Sequence, residues 1–211
     1  MTILFASSNT GKIIELEQLF NGSSFDLHTT RDSDFPALEV EETGETFEEN
    51  ALLKAQAYAK AYNLPTVADD SGLCVSALDD QPGVLSNRWV AGSDHDRNVA
   101  LLEKMRNQRN KAAFFVTVLC VYIPSTATHY FFRGEVHGTI SNTEMGSDGF
   151  GYDPVFIPNA HEQTFAQLGN DVKNTLSHRA RALQKMFTFL TTKYIPKNID
   201  EQRIHSSTKN S

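Results

Sequence analysis

The run Val67-Ala68-Asp69-Asp70-Ser71-Gly72-Leu73-Cys74-Val75 limits the fold of this chain more than any other segment. Apolar, strand-type residues flank two adjacent carboxylates. An ionised carboxylate buried without a partner costs several kcal/mol, so a fold that buries this run has to bring cations to it. Neighbouring residues of a strand point to opposite faces, so the two acids need separate partners. One faces a given site, and the other bonds backbone or a cation such as Arg88. The pattern predicts two short strands broken at the acids, with the carboxylates at a strand end, where α/β sheets place ligands. The competing reading is an Asx turn, for which Asp-Ser-Gly is good chemistry.

Strand and helix signals alternate along the rest of the chain. Thr2 to Ser7 is a short apolar strand. Asn9-Thr10-Gly11-Lys12 leads into a helix with Ile13, Leu16, Leu19 and Phe20 at helical spacing, stopped by Asn21-Gly22. A second extended run covers Phe25 to Thr29. Phe35 to Gly44 is an acidic loop. Thr46 and Glu49 form a capping box for a helix that Asn63-Leu64-Pro65 ends. Gln81-Pro82-Gly83 reads as a turn and Asp94 to Gln108 as a helix. Phe114 to Ile123 and His129 to Glu135 are long strands joined by a Pro-Ser-Thr turn, which predicts a hairpin. Gly146 to Pro158 is a Gly-rich aromatic loop, and Ser177 to Thr192 is a last helix. Neither an internal repeat nor a separating linker is visible. The fold class is α/β with a partly antiparallel, mixed sheet flanked by helices. Residues 1–195 form one domain, and 196–211 form a polar, aperiodic tail predicted to be disordered.

Charge and composition narrow the partners. A net charge of −7 over 211 residues provides no basic face for a phosphate backbone, so no nucleic acid is expected. The longest apolar run, Ala112 to Ile123, falls short of the roughly 20 residues of a membrane span, so no membrane is expected either. The first residues lack the basic and apolar regions of a signal peptide. Cys74 and Cys120 sit in apolar runs without metal or disulfide spacing, as core thiols of a reducing, cytoplasmic compartment do.

Several stretches can carry chemistry. Ser7-Ser8-Asn9-Thr10-Gly11-Lys12 joins a strand to a helix N-terminus, which binds anions through unpaired N–H groups; it is not a Walker A loop, because Ala6 and Ile13 break that pattern. The Asp69-Asp70 pair suits a hard cation such as Mg²⁺, which takes one or two carboxylates plus waters and phosphate oxygens. Within the acidic run Glu39, Glu41, Glu42, one residue is a candidate second ligand; the alternative is a solvated loop. Phe150, Gly151, Tyr152 and Asp153 lie in a Gly-rich loop whose aromatics can stack on a base. Lys173, Ser177, His178 and Arg179 gather at a helix start, where cations oppose the helix dipole unless an anion or a base edge sits there.

These segments, SSNTGK (7–12), EETGETFEENALLKA (41–55), ADDSGL (68–73), PGVLSNRW (82–89), GFGYDP (149–154) and KNTLSHRA (173–180), resemble in order those of the noncanonical purine nucleoside triphosphate pyrophosphatases, the inosine triphosphatase-like family. The likeness covers residues 3 to 190. It implies a long mixed sheet with two lobes and a central substrate groove. It implies Mg²⁺-dependent hydrolysis of inosine, deoxyinosine or xanthosine triphosphates to the monophosphate and pyrophosphate by a homodimer. By resemblance, the phosphate loop falls on Ser7, Ser8, Asn9, Thr10, Gly11 and Lys12, and the metal ligands on Glu41 and Asp70. Asp70 is the general base and Ser71 a substrate contact. Lys54 and Arg88 match triphosphate contacts. Phe150 to Asp153, Lys173, His178 and Arg179 match the base pocket. Ser7-Ser8 stands where Thr-Gly is common, and Asp148 where the loop often has Gly. A donor such as Arg179 or His178 accepts a 6-oxo purine and leaves adenine's amine unpaired, a mismatch worth about 1–3 kcal/mol. The rival readings are a pyrophosphatase of the same fold acting on modified pyrimidine nucleotides and a nucleotide-binding regulator without turnover.

Overall fold

The structure, a computed structural model, describes residues 1–194, so the predicted tail at 196–211 lies outside the described residues. Strand β1 (Thr2–Ala6) leads into helix α1 (Thr10–Phe20) and β2 (Asp26–Thr29). Helix α2 (Phe47–Tyr62) precedes β3 (Thr66–Val75) and the short β4 (Gln81–Pro82). Helix α3 (Asp94–Met105) is followed by the hairpin β5 (Ala112–Ile123) and β6 (Thr128–Ile140). Short β7 (Phe156–Pro158), α4 (Phe165–Leu176) and α5 (His178–Tyr194) complete the domain. The strands form one sheet in the order β2-β1-β3-β5-β6-β7, with β4 on β3. β1 runs parallel to β2 and β3, and the other pairings are antiparallel, so the sheet is mixed as expected.

Local chemistry fixes the helix starts. Asn9 Oδ1 accepts from Lys12 N at the head of α1 (3.1 Å). At α2, Thr46 Oγ1 accepts from Glu49 N (3.2 Å) and Glu49 Oε2 accepts from Thr46 N (3.1 Å), the reciprocal pair expected of a capping box. Helix α4 escapes a periodicity argument because Gly169, at φ 78° and ψ 171°, breaks it into pieces shorter than the window such an argument needs.

β3 differs from the sequence expectation. It is one unbroken strand through the acid pair, neither two strands nor a turn. β5 pairs with it at every position from Thr66 to Val75, and that continuous ladder overrides the local turn preference of Asp-Ser-Gly. On its other edge, β1 reaches only to Ala68 and β4 begins at Cys74. Residues 69–73 therefore face an opening in the sheet, and the carboxylates lie in mid-strand beside it.

Strand alternation then divides the core. On one face of β3, Val67 joins a cluster with Ile3, Phe5, Ile13, Leu16, Leu119, Leu183 and Met186 beneath α1 and α5. Further along the same face, Leu73 and Val75 join a second cluster with Leu101, Met105, Phe115, Tyr152, Phe156 and Phe165. Asp69 and Ser71 sit between the two. The opposite face packs Ala68, Cys74, Val116 and Val118 against Ala51, Ala55 and Tyr58 of α2. Across the seam the row Ser71–Thr117–Gly134 is small or polar on three neighbouring strands. Gly134 lets the start of α5 rest on β6, because a Cβ there would collide with the His178 carbonyl and the Ala182 amide.

Candidate active site

The seam opens into a cleft of about 620 Å³. Its wall takes in the Ser7–Asn9 loop, Lys12, Lys54, Ser71, the 150–153 loop, Lys173, His178 and Arg179, so most of the sequence-predicted binding residues share one cavity. Thr10 and Gly11 form the first turn of α1 behind that loop. A wider groove of about 1070 Å³ lies apart, bordered by Glu15, Arg133, Glu135, Arg181 and Lys185 among others. Glu15, Arg133 and Glu135 are in ion pairs, and Arg181 and Lys185 each donate to a main-chain carbonyl.

The two acids of β3 point to opposite faces, each with its own cation. Asp69 Oδ2 meets Lys12 Nζ at 2.7 Å, accepts from Ser71 Oγ at 2.9 Å and lies 3.9 Å from Arg179 Nε. Burial works against its charge, but Lys12, Arg179 and Lys54 outweigh it and hold the Asp69 carboxyl well below the usual range. Burial also pulls the Lys12 ammonium below its ordinary value, against the attraction of Asp69, and Arg179 and Lys54 add to the pull.

On the other face, Asp70 Oδ2 accepts from Asn50 Nδ2 (3.2 Å) and Oδ1 accepts from Ser71 N (3.0 Å). Lys54 Nζ lies 4.0 Å from Asp70 Oδ1 and 2.6 Å from Glu42 Oε1, bridging the two carboxylates. Burial raises the Asp70 carboxyl to about 6; Lys54 opposes the shift and Glu42 adds to it. The Lys54 ammonium is raised, because Asp69, Asp70 and Glu42 together exceed the effect of its burial. Two carboxylates already sharing one cation are a donor set suited to a hard divalent ion completed by water and phosphate oxygens. Among the described residues no cluster of three or more acidic, histidine or cysteine ligands exists, so a full protein cage is absent.

Two residues matched by the resemblance lie outside the cleft lining. Glu41 is exposed and does not line the cleft; the neighbouring carboxylate, Glu42, turns inward. Lys54 and Arg88 both hold Glu42, and in an extended segment fixing one side chain inward turns the next outward. Arg88 is likewise neither a cleft-lining residue nor the partner of the acid pair. Its guanidinium donates to Glu42 Oε2 and to the Glu42 carbonyl, both at 3.1 Å, and so secures the acidic loop from outside.

The far end of the cleft is aromatic and cationic. Lys173 Nζ pairs with Asp153 Oδ2 (2.5 Å) and sits 4.1 Å over the Phe150 ring, with the Arg179 guanidinium 5.8 Å from it. Burial pushes the Asp153 carboxyl up, against the pull of Lys173. Tyr152 is buried and donates its hydroxyl to the Ser86 carbonyl (3.0 Å), so it shapes the wall. His178 stacks on Phe115 (ring centroids 4.9 Å apart, planes 11° apart). Burial, followed by Arg179, Lys173 and Lys12, holds His178 well below its ordinary pKa, so it is neutral at physiological pH. His178 Nδ1 and Arg179 Nε are buried with no hydrogen-bond partner, and Arg179 NH1 reaches Glu15 (3.2 Å).

Sequence reasoning missed Glu15, Asn50, Thr117, Asp94 and Asn98. Glu15 carried no local signal, because its partner Arg179 lies 164 residues later in the chain. Thr117 lies in an otherwise apolar strand, and only strand register shows that it meets Ser71 (2.9 Å).

A model of the Ham1 family matches residues 3–189. The dITP/XTP pyrophosphatase of Symbiobacterium thermophilum is 44% identical over 185 residues, 87% of this chain and 91% of that protein. The dITP/XTP pyrophosphatase of Staphylococcus aureus is 41% identical over 191 residues, 89% of this chain and 95% of that protein. The solved Staphylococcus aureus Ham1 protein superimposes with a TM-score of 0.83 at 39% identity, covering 91% of this chain and 99% of the other. A HAM1 protein from Coxiella burnetii gives 0.85 at 34% identity, covering 91% and 99%. With the family model spanning nearly all of the folded domain, this chain belongs to the Ham1 family.

Proposed function

We propose that this protein is a nucleoside triphosphate pyrophosphatase that hydrolyses deaminated purine triphosphates (inosine, deoxyinosine and xanthosine) to the monophosphate and pyrophosphate. One observation carries the reading. A single cleft joins a pole of cations and carboxylates, Lys12, Lys54, Asp69 and Glu42, with Asp70 4.0 Å behind Lys54, to an aromatic and cationic pole, Phe150, Lys173, His178 and Arg179. The first suits a phosphate chain and the second a purine. Relatives named for dITP and XTP, similar over most of their length, support the same substrate class.

The chain's own groups account for the chemistry. Phosphoryl transfer needs charge stabilisation and in-line placement more than covalent help. The Ser7–Asn9 loop, the head of α1 and Lys12 face the phosphates, and Lys54 reaches from the opposite wall. Asp70, with its carboxyl near 6, is ionised at neutral pH and basic enough to take the proton of the attacking water. The resident acids already engage Lys12 and Lys54, so a substrate carrying about four negative charges needs more positive charge than these side chains provide. Glu42 and Asp70 would hold Mg²⁺, which when bound neutralises phosphate oxygens and acidifies the attacking water. At the other pole, neutral His178 and Arg179 offer donors to a 6-oxo group, which adenine's amine cannot accept. We read the protein as a cytoplasmic homodimer, with 1–195 as one domain whose two core clusters flank the cleft.

Pyrophosphate release with Mg²⁺ from inosine triphosphate, and far less from adenosine triphosphate, is the expected result. Equal turnover of both would refute the selectivity for deaminated purines, and no release from either would refute the enzyme.

A further inference from the structure

We propose that Asp94 and Asn98, in the first two turns of α3, are positioning residues that hold the Phe150 ring in place for the base. The proposal rests on reading Phe150 as the base platform and adds the helix that sets it.

The local chain cannot set that ring by itself. Gly149 (φ 82°) and Gly151 (φ 62°) flank Phe150, and glycine in the left-handed region has wide backbone freedom. Phe150 is 39% exposed, and its charged neighbours Lys173 and Arg179 belong to the cleft. The anchors are on the peptide groups. Phe150 N donates to Asp153 Oδ2 (2.8 Å) within the loop. Gly151 is gripped at both ends from α3: its N–H donates to Asp94 Oδ2 (2.7 Å), and its carbonyl accepts from Asn98 Nδ2 (3.1 Å). Asp94 lies 57 residues earlier in the chain, so this grip is purely tertiary.

The helix is a firm support. Ser93 and Asp96 cap it reciprocally, and Leu101 and Met105 root it in the second core cluster. Asp94 is itself steered by Arg97, and both line the cleft. Asn98 is buried and also donates to Glu144 Oε1 (2.9 Å). Its Oδ1 has no partner, an energetic cost that a side chain kept for packing alone would not carry. A carboxylate on a backbone N–H is among the stronger hydrogen bonds, and Asp94 is the more exposed of the two, which makes it the safer probe.

The test is calorimetric titration of the full-length protein with inosine monophosphate and, separately, inorganic pyrophosphate. Phe150→Ala and Asp94→Ala should each weaken inosine monophosphate about tenfold and leave pyrophosphate unchanged, and the double variant should be no weaker than Phe150→Ala alone. In turnover of inosine triphosphate, Asp94→Ala should raise KM about tenfold with kcat within about twofold. Asn98→Ala should behave alike if it folds; if it does not, Asp94→Ala decides. Additive losses, or equal weakening of both ligands, would overturn the clamp. If Phe150→Ala leaves monophosphate affinity intact, the platform reading and the clamp fall together. Absence of turnover in the parent protein would sink the proposed function alone, because the monophosphate titrations still judge the clamp.

Discussion

Asp70→Asn should stabilise the metal-free protein while abolishing turnover. In the fold, burial raises the Asp70 carboxyl from 3.8 to about 6. Each pKa unit is worth 1.36 kcal/mol, so keeping Asp70 ionised at pH 8 costs the folded state about 3 kcal/mol. Asparagine removes that cost but gives up one acceptor. Asp70 takes bonds from both Ser71 N and Asn50 Nδ2, and an amide offers one oxygen. Asn50 cannot flip to compensate, because its Oδ1 already accepts from Gly44 N (2.8 Å). Losing that bond costs about 1 kcal/mol, which leaves a net gain of about 2 kcal/mol. For a chain of this length that gain raises Tm by about 4–8 °C.

The sign depends on pH. Because the folded pKa is the higher one, the folded state holds a proton that the unfolded chain releases between about pH 4 and 6. The penalty on the parent protein is absent below that window and complete above it. The variant's advantage should therefore be full at pH 8 and gone by pH 4. Thermal and urea unfolding in a chelator, at both pH values, measures it. A variant less stable than the parent at pH 8, or a difference that ignores pH, would refute the account of Asp70 as a desolvated, functionally retained carboxylate.

Other expectations follow from single contacts. Gly134→Ala drives a methyl into the His178 carbonyl, so it should cost about 1–3 kcal/mol in urea unfolding and weaken inosine monophosphate. Glu42→Gln should raise the Mg²⁺ concentration needed for half-maximal activity, whereas Glu41→Gln should not; the reverse result would restore Glu41 as ligand. Arg179→Ala should lower the ratio of kcat/KM for inosine over adenosine triphosphate, and an unchanged ratio would place purine reading elsewhere. Thr46→Ala removes a cap and should cost about 1 kcal/mol of stability with kcat intact.

Local signals predicted the parts of this fold that local physics decides. The capping box at Thr46 and the stop at Asn63 are governed by residues within a few positions of each other and appear where the sequence places them, and the β5–β6 hairpin turns where predicted, although β6 runs on to Ile140, past the predicted end at Glu135. The acid pair misled because its conformation is not a local matter. Asp-Ser-Gly favours a turn, yet a ladder from Thr66 to Val75 with β5 keeps the strand straight, and no pattern in residues 67–75 announces a partner strand about fifty residues later. The inward turn of Glu42 in place of Glu41 has the same origin. Glu39, Glu41 and Glu42 differ little as sequence, and the choice is made by Lys54 and Arg88, which converge on Glu42 from α2 and from the segment after β4.

The site was legible to the extent that its residues are costly to bury alone. Adjacent carboxylates in an apolar run demand cations, and Lys12 and Lys54 answer that demand from different helices and opposite faces of one strand. What the sequence could not show is why the demand is met at this point of the sheet. β1 stops pairing at Ala68 and β4 begins at Cys74, so residues 69–73 lie at an opened edge. On one face the apolar side chains stop there too, giving way to Asp69 and Ser71 between two core clusters. Filling that seam, for instance with Ser71→Val, should close the cleft from below. Valine opposite Thr117 would strip Asp69 and Thr117 of a hydroxyl partner while adding apolar contact with both clusters. Nucleotide affinity should then fall far more than stability, and a loss of stability with affinity intact would mean that the cleft does not owe its existence to that polar row.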